Sequence, residues 1–315
     1  MLFRGIGFMT YISTLEQLPV EKRYVLGIGF FDGCHKGHQA VFREVKTLAQ
    51  EKGAEPAILT FYPHPMTVLA PDVHVPLLQS QEEKLKSLEE AGMAVTVCMT
   101  PDREFLSESA EKFLHRLSRI PGLKGIVTGA NFTFGKGALG HSAMLEAYFQ
   151  DTPVTVKILS LQQEGQQTIS STEIRQLILK GEVDTAAQLL GRPYAITGDV
   201  VHGFRRGHEA LGFPTANLDV PQDRVIPADG VYATYANVAG KRYPSITNVG
   251  NNPTFGNTQK TIETFIFDFD ESIYGKQFTL EWIARLRGEK KFDSVSDLIA
   301  QIQKDIVAAK EIVNS

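Results

Sequence analysis

The chain has 315 residues, 43% hydrophobic and 22% charged, the balance of an ordinary soluble globular protein. A formal net charge of −4 gives no electrostatic footprint for nucleic acid or an anionic membrane, so any anionic ligand has to be held by local positive groups. The two cysteines, Cys34 and Cys98, are too few for a disulfide scaffold and show no metal-type spacing with histidine. No apolar run approaches a membrane-spanning length. The opening Met1–Met9 stretch is apolar but short and lacks a small-residue cleavage site, so it is not read as a signal peptide. Met9 offers an internal start, and the chain reads as cytoplasmic. The length predicts two domains, each with its own core.

In chain order, the apolar run Tyr24–Phe31 predicts a buried strand of a parallel sheet. It breaks at the turn pair Asp32-Gly33, and Gly37-His38 opens a helix that runs to about Lys52. A strand, a glycine-bearing turn and a helix N-terminus leave backbone N–H groups pointing outward, which suits phosphate. His35 and His38 flank Gly37, and imidazoles there can donate to phosphate oxygens that gain charge during transfer. Ala57–Phe61 predicts a second strand, ended by Tyr62-Pro63-His64-Pro65, a stiff loop that can aim His64 into a crevice. Gln79–Gly92 predicts a solvated helix whose charges, Lys84 among them, form its wet face. Ala94–Met99 continues as a strand and Ser109–Leu117 as a helix.

Gly125–Gly129 predicts a fourth strand. It runs into Ala130–Gly137, a glycine-rich loop whose Asn131, Phe132 and Phe134 suit a planar ring system. After a strand at Val154–Leu159, Ser170, Ser171 and Thr172 open a helix to about Lys180, and Arg175 can lean back over its anion-favouring N-terminus. The alternation argues for an open parallel sheet with right-handed crossovers. Leu189–Pro193 marks a junction. Beyond it come short β segments at Ala195–Val201, Val231–Val238, Ser245–Val249, Thr261–Phe269 and Phe278–Arg287, as in an antiparallel barrel or sandwich. One amphipathic helix follows from Ser294 to about Val313. Thr215 and Asn217, two apart on an extended stretch, turn their oxygens to one side and suit a mostly hydrated Mg²⁺ beside phosphates.

Several strings together resemble one family. Phe31-Asp32-Gly33-x-His35-x-Gly37-His38 is similar to the signature of the His-x-Gly-His nucleotidyltransferases, and more narrowly of the bacterial bifunctional riboflavin kinase/FAD synthetases. Thr60-Phe61-x-Pro63-His64-Pro65 resembles the same family. So do Gly129-x-Asn131-Phe132-x-Phe134-Gly135 and Ser170-Ser171-Thr172-x-x-Arg175. In the second half, Gly212-Phe213-Pro214-Thr215-Ala216-Asn217 and Asn248-Val249-Gly250-x-x-Pro253-Thr254-Phe255 resemble riboflavin kinases. The loop His202–Gly207, with Gly203 and Gly207, resembles a flap over ATP, and Arg287-Gly288-Glu289-Lys290-Lys291-Phe292 matches a further family string. Phe30 departs from the pattern, standing where the family carries Asn. Asn252 departs too, standing where a basic residue is frequent.

The resemblance implies a Rossmann-like α/β adenylyltransferase domain over residues 1–188 and an antiparallel β-barrel kinase domain with a terminal helix over 189–315. It implies ATP as co-substrate, Mg²⁺, and riboflavin, FMN and FAD as substrates and products. His35, His38 and Arg175 would act in adenylyl transfer and Glu263 as base for the ribityl hydroxyl, with Thr215 and Asn217 at the metal. Phe31, Asp32, Gly33, Gly37, His64, Gly129, Asn131, Phe134, Ser171, Thr172, Gly203, Gly207, Gly212, Asn248 and Arg287 would line the ligands. Transient contacts with flavoproteins and a homo-oligomer stay open. The rivals are a kinase alone, with its first site impaired by Phe30, adenylyl or cytidylyl transfer to another phosphate, and a flavin-sensing regulator without turnover.

Overall fold

The computed structural model describes residues 9–73, 75–164, 167–201, 215–251 and 260–313. Contacts divide the chain into two compact units that meet in sequence at Ser170/Ser171.

The first unit is built on a six-stranded parallel sheet: β1 (Thr10–Ile12), β2 (Tyr24–Ile28), β3 (Glu55–Phe61), β4 (Val95–Met99), β5 (Leu123–Gly129) and β8 (Thr155–Leu159). Their spatial order is β1-β4-β3-β2-β5-β8, and every pairing is parallel. Alternate residues of β2 serve opposite faces. Tyr24, Leu26 and Ile28 join a core with Phe113, Leu117 and Leu145, from α5 (Ala110–Ser118) and α6 (Ser142–Phe149). Val25 joins Val41, Phe42, Val45 and Leu88, from α1 (Lys36–Lys52) and α3 (Gln81–Glu90). Helices on both faces bury every central strand, which is why these segments read as near-continuous apolar runs.

β1 escapes periodicity because three residues show no pattern. The predicted strand over Tyr24–Phe31 is shorter than expected. It stops at Ile28, and Phe31 (φ 56°), Gly33 (φ 83°) and Cys34 (φ 42°) then adopt left-handed backbone. Two non-glycine residues in that region are uncommon, and such strain clusters at functional sites. The stretch expected as one glycine-rich loop instead holds a small hairpin, β6 (Thr133–Phe134) against β7 (Gly140–His141). A side chain at Gly140 would sit 2.6 Å from the Phe134 ring, so only glycine allows this pairing. A short helix, α4 (Arg103–Leu106), precedes α5, and a second two-stranded pair, β9 (Gln163–Glu164) against β10 (Gln167–Thr168), follows β8.

The second unit starts with α7 (Ser171–Lys180) and α8 (Val183–Leu190), the latter ended by left-handed Gly191. A closed antiparallel barrel follows in the order β11-β12-β15-β14-β13-β16. These are β11 (Tyr194–Val201), β12 (Ala216–Asp219), β13 (Gly230–Val238), β14 (Lys241–Asn251), β15 (Lys260–Ile266) and β16 (Gln277–Arg287). Closure removes sheet edges. The interior holds Trp282, Tyr194, Tyr232 and Leu280. It also holds a chain of buried hydroxyls, Ser245–Thr234–Thr247–Thr264, joined at 2.8 to 2.9 Å. The last helix, α9 (Val295–Val313), lays Ala309 and Val313 on Val231, Ala233, Ile246 and Phe267 of the barrel. Both the parallel sheet and the barrel with its terminal helix meet the expected fold class.

Candidate active sites

The first candidate site lies where β2 and β3 end. His35 is the N-cap of α1, and its Nδ1 accepts the His38 backbone N–H at 3.3 Å. An accepting Nδ1 places the neutral ring's proton on Nε2. The His35 and His38 rings stack 3.5 Å apart, centroid to centroid, and Phe31 meets His38 edge-on. A side chain at Gly37 would crowd the His35 ring at 3.2 Å, so this glycine makes room for the stacked pair. Burial first, and then His35 and Lys84, hold the His38 pKa well below the usual histidine range, so the ring is neutral at neutral pH. Its buried Nδ1 has no hydrogen-bond partner among the described residues.

Asp32, 3% exposed, accepts from the Leu78 and Gln79 backbone N–H groups at 3.0 to 3.2 Å. Its carboxylate therefore ties the turn to the segment before α3. His64 repeats the design of His35: it caps α2 (Pro65–Leu69), with Nδ1 accepting from Met66 N at 3.1 Å. Phe30 packs edge-on against His64 at 4.4 Å. Next to these strand ends, Phe61, Met66, Leu69, Phe105, Phe132 and Phe134 line a cavity of about 480 Å³. Phe132 and Phe134 are nearly parallel, 5.6 Å apart. Phe134 both packs in the core and lines the cavity. Asn131 is exposed just beyond β5, its Oδ1 only 2.9 Å from where a side chain at Gly129 would begin.

Sequence reasoning overlooks Lys84 here. The helix was expected to turn its charges to water, yet Lys84 is 3% exposed. Its Nζ donates to the Phe61 and Phe30 carbonyls and to Thr60 Oγ1. Within a helix of mixed Glu and Lys, no sequence signal separates it from Lys86, 75% exposed at its side chain.

The second candidate site lies on the barrel surface beneath α9. Antiparallel register aligns Asn217 (β12), Glu263 (β15), Asn248 (β14), Val231 (β13) and Arg287 (β16) in one row. Buried Ile262 and Thr264 flank Glu263, and buried Ala216 and Leu218 flank Asn217, so these two point away from the barrel interior. Thr215, Asn248, Glu263 and Arg287 line one cavity of about 740 Å³, with Val231, Ile246, Phe265 and Ile302 as apolar wall. Burial raises the Glu263 pKa. Arg287 is held by Asp305 of α9, whose Oδ2 accepts from Nε at 2.9 Å and from a terminal nitrogen at 2.8 Å. Gln301 donates to the other Asp305 oxygen at 2.9 Å. Neither Asp305 nor Gln301 was foreseen, because a helix carrying one inward carboxylate reads as merely amphipathic.

Ser171, Thr172 and Arg175 stand on α7, within the unit that holds the barrel. Gly203, Gly207 and Gly212, like Asn252–Phe255, lie outside the described residues.

Residues 18–173 match the FAD synthetase family and residues 190–313 the riboflavin kinase family. A protein of Listeria monocytogenes named bifunctional riboflavin kinase/FMN adenylyltransferase is 38% identical over 296 residues, covering 93% of each chain. Its namesake from Escherichia coli is 32% identical, covering 95% of this chain and 96% of its own. A solved structure from Streptococcus pneumoniae superposes with a TM-score of 0.87 at 32% identity, covering 96% of this chain and 99% of its own. That structure is named a macrolide-efflux protein, whereas no helix among the described residues here is long and apolar enough to cross a membrane. Two matching domains and relatives aligned along nearly the full length agree with the motifs in both halves, and the chain belongs to the bifunctional riboflavin kinase/FMN adenylyltransferase family.

Proposed function

We propose that the chain phosphorylates riboflavin with ATP in the barrel cavity and adenylylates the resulting FMN at the His35/His38 turn, giving FAD and pyrophosphate. One observation carries the reading: two separate sites, each suited to one of the family's two reactions, sit on one chain. The domains are taken as residues 1–188 and 189–315.

In the barrel cavity, riboflavin is a neutral alcohol and needs a base. Glu263, with its pKa raised toward the working pH, takes the proton of the terminal ribityl hydroxyl as that oxygen attacks the γ-phosphate. Val231, Ile246, Phe265 and Ile302 offer apolar wall to the flavin ring, and Arg287 and Asn248 orient its polar edge. Thr215 and Asn217 supply hard, neutral oxygens beside a carboxylate, a donor set that fits a mostly hydrated Mg²⁺. Bound there, Mg²⁺ would neutralise phosphate charge. Gly203 and Gly207 are assigned to the ATP flap, and Gly212 to ligand binding through the Gly212–Asn217 string, by their motifs.

At the first site the nucleophile is the FMN phosphate, already anionic, so positioning and charge stabilisation suffice. Neutral His38 and His35 donate to the α-phosphate and the leaving oxygen. Phe31, Asp32, Gly33 and Gly37 shape the turn that holds them. Ser171, Thr172 and Arg175 are assigned to the β- and γ-phosphates by their motif. The phenylalanine-lined cavity takes a planar ring, either flavin or adenine, and Gly129, Asn131 and His64, which precede lining residues Phe132 and Pro65 in the chain, are assigned to the same ligand by their motifs. The enzyme is placed in the cytoplasm.

One incubation with riboflavin, ATP and Mg²⁺ tests the reading, with flavins separated by chromatography over time. FMN appearing first and FAD after it is expected. FMN accumulating without FAD, even when FMN is supplied directly, would leave the kinase activity alone.

A further inference from the structure

The parallel sheet creates an electrostatic difficulty for its own active site. Just past β2 and at the end of β3, the carbonyls of Phe30 and Phe61 stand at the C-terminal edge of the sheet, the side on which open α/β folds hold their ligands. Carbonyl oxygens are the wrong pole for an anion. At the ends of β2 and β3 this is met by one buried cation. Lys84 Nζ donates to Phe61 O at 2.8 Å, to Phe30 O at 3.2 Å and to Thr60 Oγ1 at 3.4 Å, which occupies all three ammonium donors. Thr60 Oγ1 donates in turn to Phe30 O at 2.9 Å, closing the cluster. The ammonium also lies 4.4 Å over the Phe30 ring.

No carboxylate lies within ion-pair distance of Lys84 among the described residues. Burial lowers the Lys84 pKa, and Cys98, Asp32 and Cys34 act against it by favouring the charged form. A lysine buried without a paired acid is costly, and surface helices normally keep such a side chain in water. The two backbone stretches it joins are those that carry function on either side: Phe30 immediately precedes the Phe31–His38 turn, and Phe61 precedes the loop to His64. We infer that Lys84 is a positioning residue for adenylyl transfer, clamping the ends of β2 and β3 together and cancelling their carbonyl charge where the polyphosphate lies. Thr60 is the neutral half of the same clamp. Phe30, in place of an amide, contributes its carbonyl and ring face to the cation. The depressed pKa of His38, to which Lys84 contributes, is in keeping with a cation sensed at the catalytic turn.

This inference rests on placing adenylyl transfer at the His35/His38 turn, so its test includes His38→Ala. Lys84→Met and Thr60→Val are compared with the parent enzyme, full-length, for FAD formation from supplied FMN and for FMN formation from riboflavin. A misplacement on the ångström scale costs on the order of 10²-fold in rate. Lys84→Met is expected to lower kcat for FAD formation by roughly that factor with the KM for FMN little changed, and Thr60→Val by about tenfold, because one hydrogen bond of the clamp is lost. FMN formation should stay at the parental rate in both. In Lys84→Met the His38 imidazole should also titrate at higher pH by NMR, the sign expected when a cation sensed at the turn is lost. If Lys84→Met does not fold, the nearly isosteric Thr60→Val decides alone. Parental kcat for FAD formation in whichever of the two variants folds would overturn the clamp. Parental FAD formation in His38→Ala would instead overturn the placement of the site.

Discussion

The two candidate sites apply the same physical force to opposite ends. Burial disfavours charge at both, pushing the His38 pKa down and the Glu263 pKa up, so each group leans to its neutral form. On the proposed reading, neutrality is the working state at the parallel-sheet site, because a neutral imidazole still donates to phosphate and an attacking FMN phosphate would need no base. In the barrel, Glu263 would have to give up its proton to act as the proposed base, and a raised pKa makes a stronger base once ionised. Support differs in the same way. The first site is braced by backbone groups: helix caps, left-handed turns and carbonyls tied to Lys84. The second is braced by side chains, with Asp305 and Gln301 holding Arg287 from the terminal helix. A reaction without a base can be served by fixed dipoles, whereas one that moves a proton needs tuned ionisable groups.

The comparison breaks first at the bases themselves. Glu263→Gln should lower FMN formation by about 10²–10⁴-fold, the usual worth of a general base, and leave FAD formation from supplied FMN at the parental rate. Loss of both activities would show that the sites are not separable. The same variant has a stability consequence. The folded pKa of Glu263 lies above 4.5, so the native state binds more protons between 4.5 and that folded value, and stability is lost as pH rises through the window. Glu263→Gln should therefore melt at higher temperature than the parent at neutral pH, with the gap closing toward pH 4.

His38→Ala should lower FAD formation by about 10²–10³-fold, as removal of one transition-state donor does, while FMN formation persists. Its stability sign is the reverse of that at Glu263. The folded pKa lies below 6.5, so the unfolded chain binds the extra proton and stability falls as pH drops through 6.5. Thermal melts of His38→Ala should lose less on acidification than the parent.

Smaller effects sharpen the contrast between side-chain and backbone support. Asp305→Asn removes the charge that holds Arg287, and the KM for riboflavin should rise about tenfold, in line with a charge-assisted hydrogen bond. An unchanged KM would remove Arg287 from flavin binding. Phe30→Asn exchanges ring contacts for an amide but keeps the carbonyl that Lys84 grips. FAD formation should change by about threefold or less, the worth of one cation–π contact.

Much of this was legible in the sequence because local chemistry repeats itself there. Apolar runs with glycine and proline stops located the central strands, and Ser, Thr and Gly located most helix ends. His35, His38 and Asn248 stood out because their strings are unusual, and Glu263 followed from the resemblance. Other features carry no local signature. The three-residue β1 is too short to show a period. β6 and β7 pair only because Gly140 lets the Phe134 ring approach. The row from Asn217 through Glu263 and Asn248 to Arg287 exists only through antiparallel register between segments up to about seventy residues apart. Lys84 and Asp305 look like any other charge on a helix until packing decides which face turns inward. Sequence by itself determined the order of the main elements and the family, and it nominated the candidate reactive groups. Tertiary structure alone decided which charges are buried and against what, because desolvation depends on neighbours brought in from distant parts of the chain, and no window of sequence contains them.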